Sequence, residues 1–206
     1  MTHYKTIITP ATQELTVKRS RFIGHIAPVA SAGDAAAFVA QIKKKHYDAT
    51  HNVFAYIVRE PEFCKFSDDG ESQGTAGLPV LNVLQKEEVT DCVVVVTRYF
   101  GGIMLGAGGL VRAYSACAKL VLDAARIKTM RLCLLCELSC SYSLYGRLAG
   151  FIPGQGGKIN GIQHTDAVKM NFIVPKENFH KFFAELTELT FGAVRATVTG
   201  EDFFEI

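Results

Sequence analysis

Cys92-Val93-Val94-Val95-Val96 is an uninterrupted apolar run, which is typical of a strand covered on both faces of a sheet. A glycine-rich polar segment lies on each side of this run. The first glycine segment spans residues 67–77 (SDDGESQGTAG), and the second glycine segment spans residues 97–112 (TRYFGGIMLGAGGLVR). Glycine permits backbone angles and close approaches that a Cβ atom would forbid. We therefore predict that the two segments form a contact surface beside a buried strand.

The patterns around this run predict an α+β fold. Strand patterns occupy much of residues 4–29, and Ser31 is placed to cap a helix that ends at Lys43-Lys44-Lys45. Further along, the sequence predicts a strand at 52–59, a helix from Thr75 or Gly77, a strand at 91–98 and a helix at 107–127. A change of pattern near Arg131 divides the chain into two predicted domains, at 1–130 and 131–206.

The second predicted domain has the element order βαββαβ, which is the ferredoxin-like split arrangement. A glycine-rich turn at 154–157 separates its first helix from its second strand. The apolar periodicity predicts strands at 132–140, 158–164, 167–174 and 193–204 and helices at 142–150 and 176–190.

Bulk composition excludes several classes of protein. The chain has 206 residues, of which 49% are hydrophobic, so it can bury a core and is not intrinsically disordered. Its net charge of +2 is too small to indicate a nucleic-acid-binding protein by itself. The N-terminal residues lack the pattern of a secretory signal, and no apolar stretch approaches the ~20 residues that span a bilayer. We predict a cytoplasmic protein that makes no membrane contact.

Cysteine and histidine spacing gives no metal motif. The six cysteines, at positions 64, 92, 117, 133, 136 and 140, are predicted to be free buried thiols. The spacing Cys133-x-x-Cys136-x-x-x-Cys140 lacks a fourth ligand and lies in a strand-like run. His46 and His51 are five residues apart, which places them on neither one helical face nor one strand face. We therefore predict no metal site and no cofactor.

The second glycine segment has the composition of an anion site. Glycines that lead into a helix leave N–H groups unpaired, and the helix dipole also favours negative charge. Neither nucleotide-binding glycine pattern is present, since Gly106 is not followed by Lys and Ser or Thr, and Gly108 has no glycine three residues on. A tight crossover, an anion or nucleic-acid contact, and an enzymatic phosphate cradle all remain open. The candidate contact residues are His51, Arg98, Tyr99, Gly101, Gly102, Gly106, Gly108, Gly109 and Arg112.

The first glycine segment contains the carboxylates Asp68, Asp69 and Glu71. Clustered carboxylates either bind a divalent ion and do acid–base work, or cap the following helix and accept from loop amides. No partner nucleophile is evident nearby, so we name no catalytic residue. Gln73 and Thr75 complete the predicted polar contacts of this loop.

Two further stretches have open interpretations. Lys18-Arg19-Ser20-Arg21 is a basic turn that is either solvated or in contact with a phosphate backbone. Tyr99 and Phe100 either stack on bases or pack in the core.

These residues carry a resemblance to the IMPACT family. The similarity rests on residues 67–79 (SDDGESQGTAGLP) and 95–114 (VVTRYFGGIMLGAGGLVRAY), with further matches at 21–23 and 51–56. It covers roughly residues 15–127. The chain departs from the family pattern at Tyr47 and Ser72, where Pro is common, and at Met104, where Lys is common. The absence of that lysine removes one phosphate contact.

The resemblance implies a fold and a general role. The N-terminal domain would share the βαβ fold of domain four of elongation factor G, and the C-terminal domain would resemble the ferredoxin-like domain five of that factor. Eukaryotic members regulate the initiation of translation by interfering with the activation of a stress kinase. Bacteria lack that pathway, so this partner does not carry over, and the family implies no catalytic residues.

We therefore expect a non-enzymatic, translation-associated regulator that contacts RNA, the ribosome or a translation factor through the glycine segments. One alternative is a metal-assisted hydrolase or phosphotransferase that uses Asp68, Asp69 and Glu71. Another is a protein-interaction module whose loops dock a helical partner. The sequence assigns no oligomeric state.

Overall fold

A computed structural model describes residues 2–59 and 62–206 of the chain. The chain forms two compact units. The N-terminal unit holds residues 5–128, and the C-terminal unit holds residues 2–4 and 129–206. Both units are mixed α+β structures, as the sequence predicts.

The N-terminal unit is built on a five-stranded sheet with the strand order β2-β3-β6-β4-β5. Its strands are β2 (Ala11–Val17), β3 (Ser20–Pro28), β4 (His51–Val58), β5 (Phe63–Ser67) and β6 (Cys92–Tyr99). The central strand β6 pairs antiparallel with β3 on one side and with β4 on the other. The apolar run identified in the sequence therefore lies in the middle of the sheet.

Helices cover both faces of this sheet. They are α1 (Ala32–Lys45), α2 (Gly77–Lys86) and α3 (Ala107–Ala125). Val93 and Val95 pack with α1 on one face, whereas Val94 and Val96 pack with α2 and α3 on the other. All four valines have no exposed surface, which confirms the prediction of a strand covered on both faces.

The edge strand β5 was missed by the sequence analysis. It pairs antiparallel with β4, and four of its five residues are exposed. Because neither face of β5 is buried, its sequence lacks the apolar alternation that indicates a strand. Cys64, which lies in β5, is exposed, so the prediction that every cysteine is buried is wrong at this position.

The C-terminal unit has the ferredoxin-like arrangement that the sequence predicts. Its elements are β7 (Ile127–Cys140), α4 (Tyr142–Gly154), β8 (Lys158–His164), β9 (Val168–Pro175), α5 (Phe179–Thr190) and β10 (Ala196–Phe204). The strand order is β10-β7-β9-β8 with antiparallel pairing, and the N-terminal strand β1 (His3–Ile7) also pairs with β7.

The core of this unit lies on one face of its sheet. Leu148 and Ile152 of α4 and Phe182 and Leu186 of α5 pack there against alternate strand residues such as Met170. The residues between them along each strand point away from this core. Among the described residues, no helix combines the length and the apolar character needed to cross a membrane.

Candidate functional site

The two glycine segments meet at the C-terminal end of β6. The Glu71 carboxylate of the first segment lies 2.5 Å from Arg98 Nη1, and it accepts a hydrogen bond from the Tyr114 hydroxyl at 2.8 Å. His51 Nε2 lies 3.8 Å from the same carboxylate oxygen. Glu71 therefore joins the first segment to the ends of β6 and β4 and to α3. We call Glu71, Arg98, Tyr114 and His51 the buried charge cluster.

Arg98 faces inward, so the expectation that it presents its guanidinium group to a partner is wrong. Only 5% of the residue is exposed. Its Nη1 donates to Glu71, its Nη2 donates to Ser20 Oγ at 3.4 Å, and its guanidinium carbon lies 5.5 Å from the Phe22 ring centroid. The Nε atom has no partner among the described residues. The alternation of β6 is the cause, because Arg98 lies on the same face as the buried Val94 and Val96.

The buried charge cluster holds Tyr114 in its neutral form. Burial raises the pKa of the Tyr114 phenol, and the charge of Glu71 and the hydrogen bond to it raise that pKa further. The protonated hydroxyl is thus a permanent donor to Glu71. His51 Nδ1 lies 2.8 Å from the Asp69 carbonyl, and since a carbonyl only accepts, this nitrogen carries the proton.

Asp68 caps α2 and closes the first glycine segment. Its carboxylate accepts from the backbone N–H groups of Gly74, Ala76 and Gly77 at 2.9, 3.1 and 2.8 Å. Ala76 and Gly77 lie at the start of α2, where N–H groups have no partner within the helix, so the carboxylate satisfies the amino end of α2, while the bond from Gly74 closes the loop. The alternative that placed this residue at a helix cap is the one that the structure supports.

The other loop residues also have separate partners. Asp69 binds Lys43 at 2.5 Å and accepts from the Asn52 N–H at 2.7 Å, and the buried Thr75 donates to the Ser72 carbonyl. Thr75 is thus an internal residue, contrary to its predicted role as a contact, whereas Gln73 is exposed. The three carboxylates do not converge, and the described ranges contain no group of three or more candidate metal ligands.

The second glycine segment is tightly packed at its start and open where α3 begins. A Cβ atom on Gly101 would lie 2.0 Å from the backbone carbon of Arg19, so only glycine fits against the turn between β2 and β3. Gly102 and Gly106 have φ angles of +81° and +72°, and Cβ atoms on Gly106 or Gly108 would meet nothing within 4 Å. The N-cap residue of α3 is Gly106, which has no side chain to cap the helix.

An exposed basic surface surrounds this open end. Lys18 and Arg19 are exposed at the turn that packs on Gly101, and Arg112 is exposed one helical turn beyond Gly108. Residues 97–112 contain no Asp or Glu. We call Lys18, Arg19, Arg112 and the uncapped amides of residues 107–109 the basic loop surface. This surface therefore includes Lys18 and Arg19, which were not among the candidate contact residues, and it does not include Arg98, which is buried.

Tyr99 lies on the opposite face of the sheet from the buried charge cluster. Its hydroxyl donates to Asp48 at 3.0 Å and lies 3.0 Å from His46 Nδ1, which must then act as a donor. The predicted grouping of Tyr99 with the glycines is therefore wrong, because adjacent residues of a strand face opposite sides.

A hydrogen-bonded histidine pair continues from Tyr99. His46 Nε2 lies 3.1 Å from His25 Nε2, and His25 Nδ1 lies 3.1 Å from Thr12 Oγ1. Since His46 donates to Tyr99, its Nε2 accepts from His25 and the Thr12 hydroxyl donates to His25 in turn. His25 was not among the residues predicted from the sequence, although its place between Ile23 and Ala27 in a strand indicated a buried histidine.

The histidine pair makes stability depend on pH. Burial and, to a lesser extent, the neighbouring His46 and Lys45 lower the pKa of His25 to about 4, and burial also lowers that of His46. Protonation then favours the unfolded chain, in which histidine titrates near ~6.5, so stability is lost as the pH falls from ~6.5 towards ~4.

We expect His25→Gln to flatten this pH dependence. Each proton excluded from the folded state contributes up to ~1.4 kcal/mol per pH unit within that window, so the variant should lose ~1–2 kcal/mol less than the parent chain between pH ~6.5 and ~4.5. Urea unfolding at a series of pH values measures this difference. The exposed His164→Gln serves as the control. If His25→Gln and the parent chain lose stability in parallel, His25 is not the titrating group.

Comparisons with known proteins identify the family. A family model described as Impact N-terminal domain matches residues 18–122, and a second, described as Domain of unknown function (DUF1949), matches residues 138–193. A solved structure described as "Crystal structure of an hypothetical protein" is 30% identical, with a TM-score of 0.61, and the alignment covers 98% of this chain and 100% of that one.

Curated relatives agree with the family models. IMPACT family member YvyE of Bacillus subtilis is 36% identical over 190 residues, which cover 92% of this chain and 88% of the relative. IMPACT family member YigZ of Escherichia coli is 34% identical over 191 residues, which cover 90% of this chain and 93% of the relative. Protein IMPACT-A of Xenopus tropicalis is 37% identical over 98 residues, 46% of this chain and 31% of that protein. From the N-terminal match and from YvyE and YigZ, which are matched over most of their length, it follows that the chain belongs to the IMPACT family.

Proposed function

We propose that this protein is a translation-associated regulator that contacts RNA through the basic loop surface and has no catalytic role of its own. Membership of the IMPACT family supports a translation-associated regulatory role in general. The contact with RNA rests on one observation. The exposed Lys18-Arg19 turn packs on Gly101 of residues 97–112, and this stretch holds the exposed Arg112 and the first amides of α3 and contains no acidic residue.

The basic loop surface has the chemistry that binds a phosphate backbone. Lys18, Arg19 and Arg112 offer positive charge, and the first amides of α3 offer donors that are aligned with the helix dipole. The exposed Phe100 adds an aromatic ring beside these groups, and stacking on a ring tolerates any base. The surface therefore suits single-stranded RNA bound with little sequence preference.

The buried charge cluster supports this surface from within. Glu71 and Arg98 neutralise each other and hold the first glycine segment against β6, while the backbone contact of Gly101 with Arg19 positions the basic turn. The proposed contact therefore uses residues outside the cluster, and substitutions within the cluster test stability rather than binding.

The proposal predicts a change in the salt dependence of binding. The probe is a single-stranded oligouridylate, and the test variant carries Lys18→Ala, Arg19→Ala and Arg112→Ala. Each phosphate contact adds ~0.7 to the slope of log affinity against log salt for single strands, so the loss of three contacts should lower the slope by ~2. Fluorescence anisotropy over a salt series measures the slope.

A control variant removes the same charge elsewhere. Lys65→Ala, Lys86→Ala and Arg147→Ala substitute exposed cations on β5, α2 and α4. This variant should keep the parent slope. Equal slopes for the test and control variants would show that the basic loop surface is not the RNA contact.

A protein partner is the second candidate, because the same loop exposes large apolar side chains. Met104 is 84% exposed, and Phe100 and Ile103 are also exposed. Clustered exposed apolar residues mark protein interfaces. Capture of a partner that survives nuclease treatment and is lost in Ile103→Ser/Met104→Ser, together with unchanged oligouridylate binding in the charge variant, would favour this candidate.

A further inference from the structure

A polar groove lies on the open face of the C-terminal sheet. It has a volume of about 370 Å³ and includes Glu137 and Ser139 of β7, Lys169 of β9 and Arg195 just before β10. Leu138 and Met170, which alternate with these residues, are buried against the helices. The groove is therefore on the face of the sheet opposite the helices.

Strand register places two cations on either side of a small hydroxyl side chain. Lys169 is paired with Ser139 across β7 and β9, and Arg195 precedes Ala196, whose partner is Leu138. Lys169 and Arg195 thus stand on the strands that flank Ser139, with backbones ~10 Å apart from the strand spacing. Side chains of that length can both reach an anion above Ser139.

The carboxylate of Glu137 and the amide of Asn171 lie beside the Lys169 and Ser139 pair, one pair further along the same face of the strands. Glu137 is paired with Asn171 and lies two residues from Ser139 along β7, ~7 Å away. None of Glu137, Lys169 and Arg195 forms an ion pair with another side chain in the part of the chain that the structure describes. Without such a partner, these charged groups remain available to a ligand.

The lining favours a small ligand over a nucleic acid. No aromatic side chain lines the groove, so bases have nothing on which to stack. Its volume falls within the range of small-molecule sites. Its charges alternate from cationic to anionic over a short distance, which matches a molecule that carries both signs.

We propose that this groove binds a short zwitterionic molecule. Its carboxylate or phosphate group is held by Lys169, Arg195 and the Ser139 hydroxyl, and its ammonium group by Glu137 and Asn171. The site is independent of the basic loop surface, because it uses different residues in the other unit and needs no RNA.

Isothermal titration of the full chain tests the proposal with four probes. Phosphoethanolamine and β-alanine each carry a positive and a negative group. Inorganic phosphate carries only negative charge, and ethanolamine carries only positive charge. We expect at least one zwitterion to bind at least tenfold more tightly than inorganic phosphate or ethanolamine. Only a zwitterion can contact the cationic side chains of the groove and Glu137 at the same time. The stronger of the two zwitterions identifies the anionic group as phosphate or carboxylate.

Two variants and one control locate the binding. Arg195→Ala should weaken the preferred zwitterion at least tenfold, and Glu137→Gln should remove its advantage over the single-charge anion. Arg147→Ala removes an exposed cation of α4 and should leave binding unchanged. Because all three residues are exposed, these substitutions leave the fold intact. The proposal is overturned if neither zwitterion binds better than phosphate or ethanolamine, or if binding is equal in Arg195→Ala and Arg147→Ala.

Discussion

Replacing Arg98 with methionine should lower the free energy of unfolding by about 3–5 kcal/mol, which is the cost of removing one partner of a buried ion pair. The Glu71 carboxylate, with 6% of its side chain exposed, would lose the guanidinium group that lies 2.5 Å from it. The neutral Tyr114 hydroxyl donates one hydrogen bond to this carboxylate and does not replace the guanidinium group. Urea unfolding followed by circular dichroism measures the loss.

The double variant Arg98→Met/Glu71→Leu tests whether the two charges stabilise the fold as a pair. With both charges removed, no isolated charge remains in the core, so the double variant should be more stable than Arg98→Met alone. A double variant that is as unstable as the sum of the two single variants would show that the residues act independently and that the buried charge cluster is not a coupled unit.

Replacing Gly101 with alanine should lower the free energy of unfolding by about 3 kcal/mol, near the upper end of typical overpacking effects. The new Cβ atom would lie 2.0 and 2.1 Å from the carbonyl carbon and oxygen of Arg19 and 2.5 Å from Ser20 N. Backbone atoms cannot move aside as a flexible side chain does, so the turn between β2 and β3 must shift. Urea unfolding measures this effect as well.

Gly108→Ala is the matched control for Gly101→Ala. A Cβ atom at Gly108 meets nothing within 4 Å, and the residue lies in the first turn of α3. Alanine favours a helix over glycine, so this variant should keep the parent stability or gain up to ~1 kcal/mol. If the two alanine variants are equally stable, the close approach of Gly101 to Arg19 does not constrain the fold.

Periodicity in the sequence predicted most of the architecture. The apolar run of β6, the amphipathic pattern of α3 and the βαββαβ order of the C-terminal unit each appear where the pattern placed them. These elements bury a continuous face, and burial is what produces a readable apolar pattern. The exposed edge strand β5 buries no face, and for that reason it was missed.

The candidate site was less predictable than the fold. The glycine segments drew attention to the correct end of the sheet, and Asp68 proved to be the helix cap that one interpretation allowed. Arg98 and Thr75 were nevertheless assigned to the surface for their polarity, and Tyr99 for an aromatic ring that could stack on bases. Polarity does not show whether a charged side chain meets solvent or an internal partner distant in sequence.

The chain's own pattern of apolar, glycine and capping residues determined its elements, because each such signal acts between residues a few positions apart. Only the tertiary structure decided which polar groups are exposed to solvent and which are paired inside the protein. Glu71 and Arg98 are 27 residues apart, and His25 and His46 are 21 apart, so their pairing depends on how strands and helices are brought together. The same long-range packing left Lys18, Arg19 and Arg112 exposed.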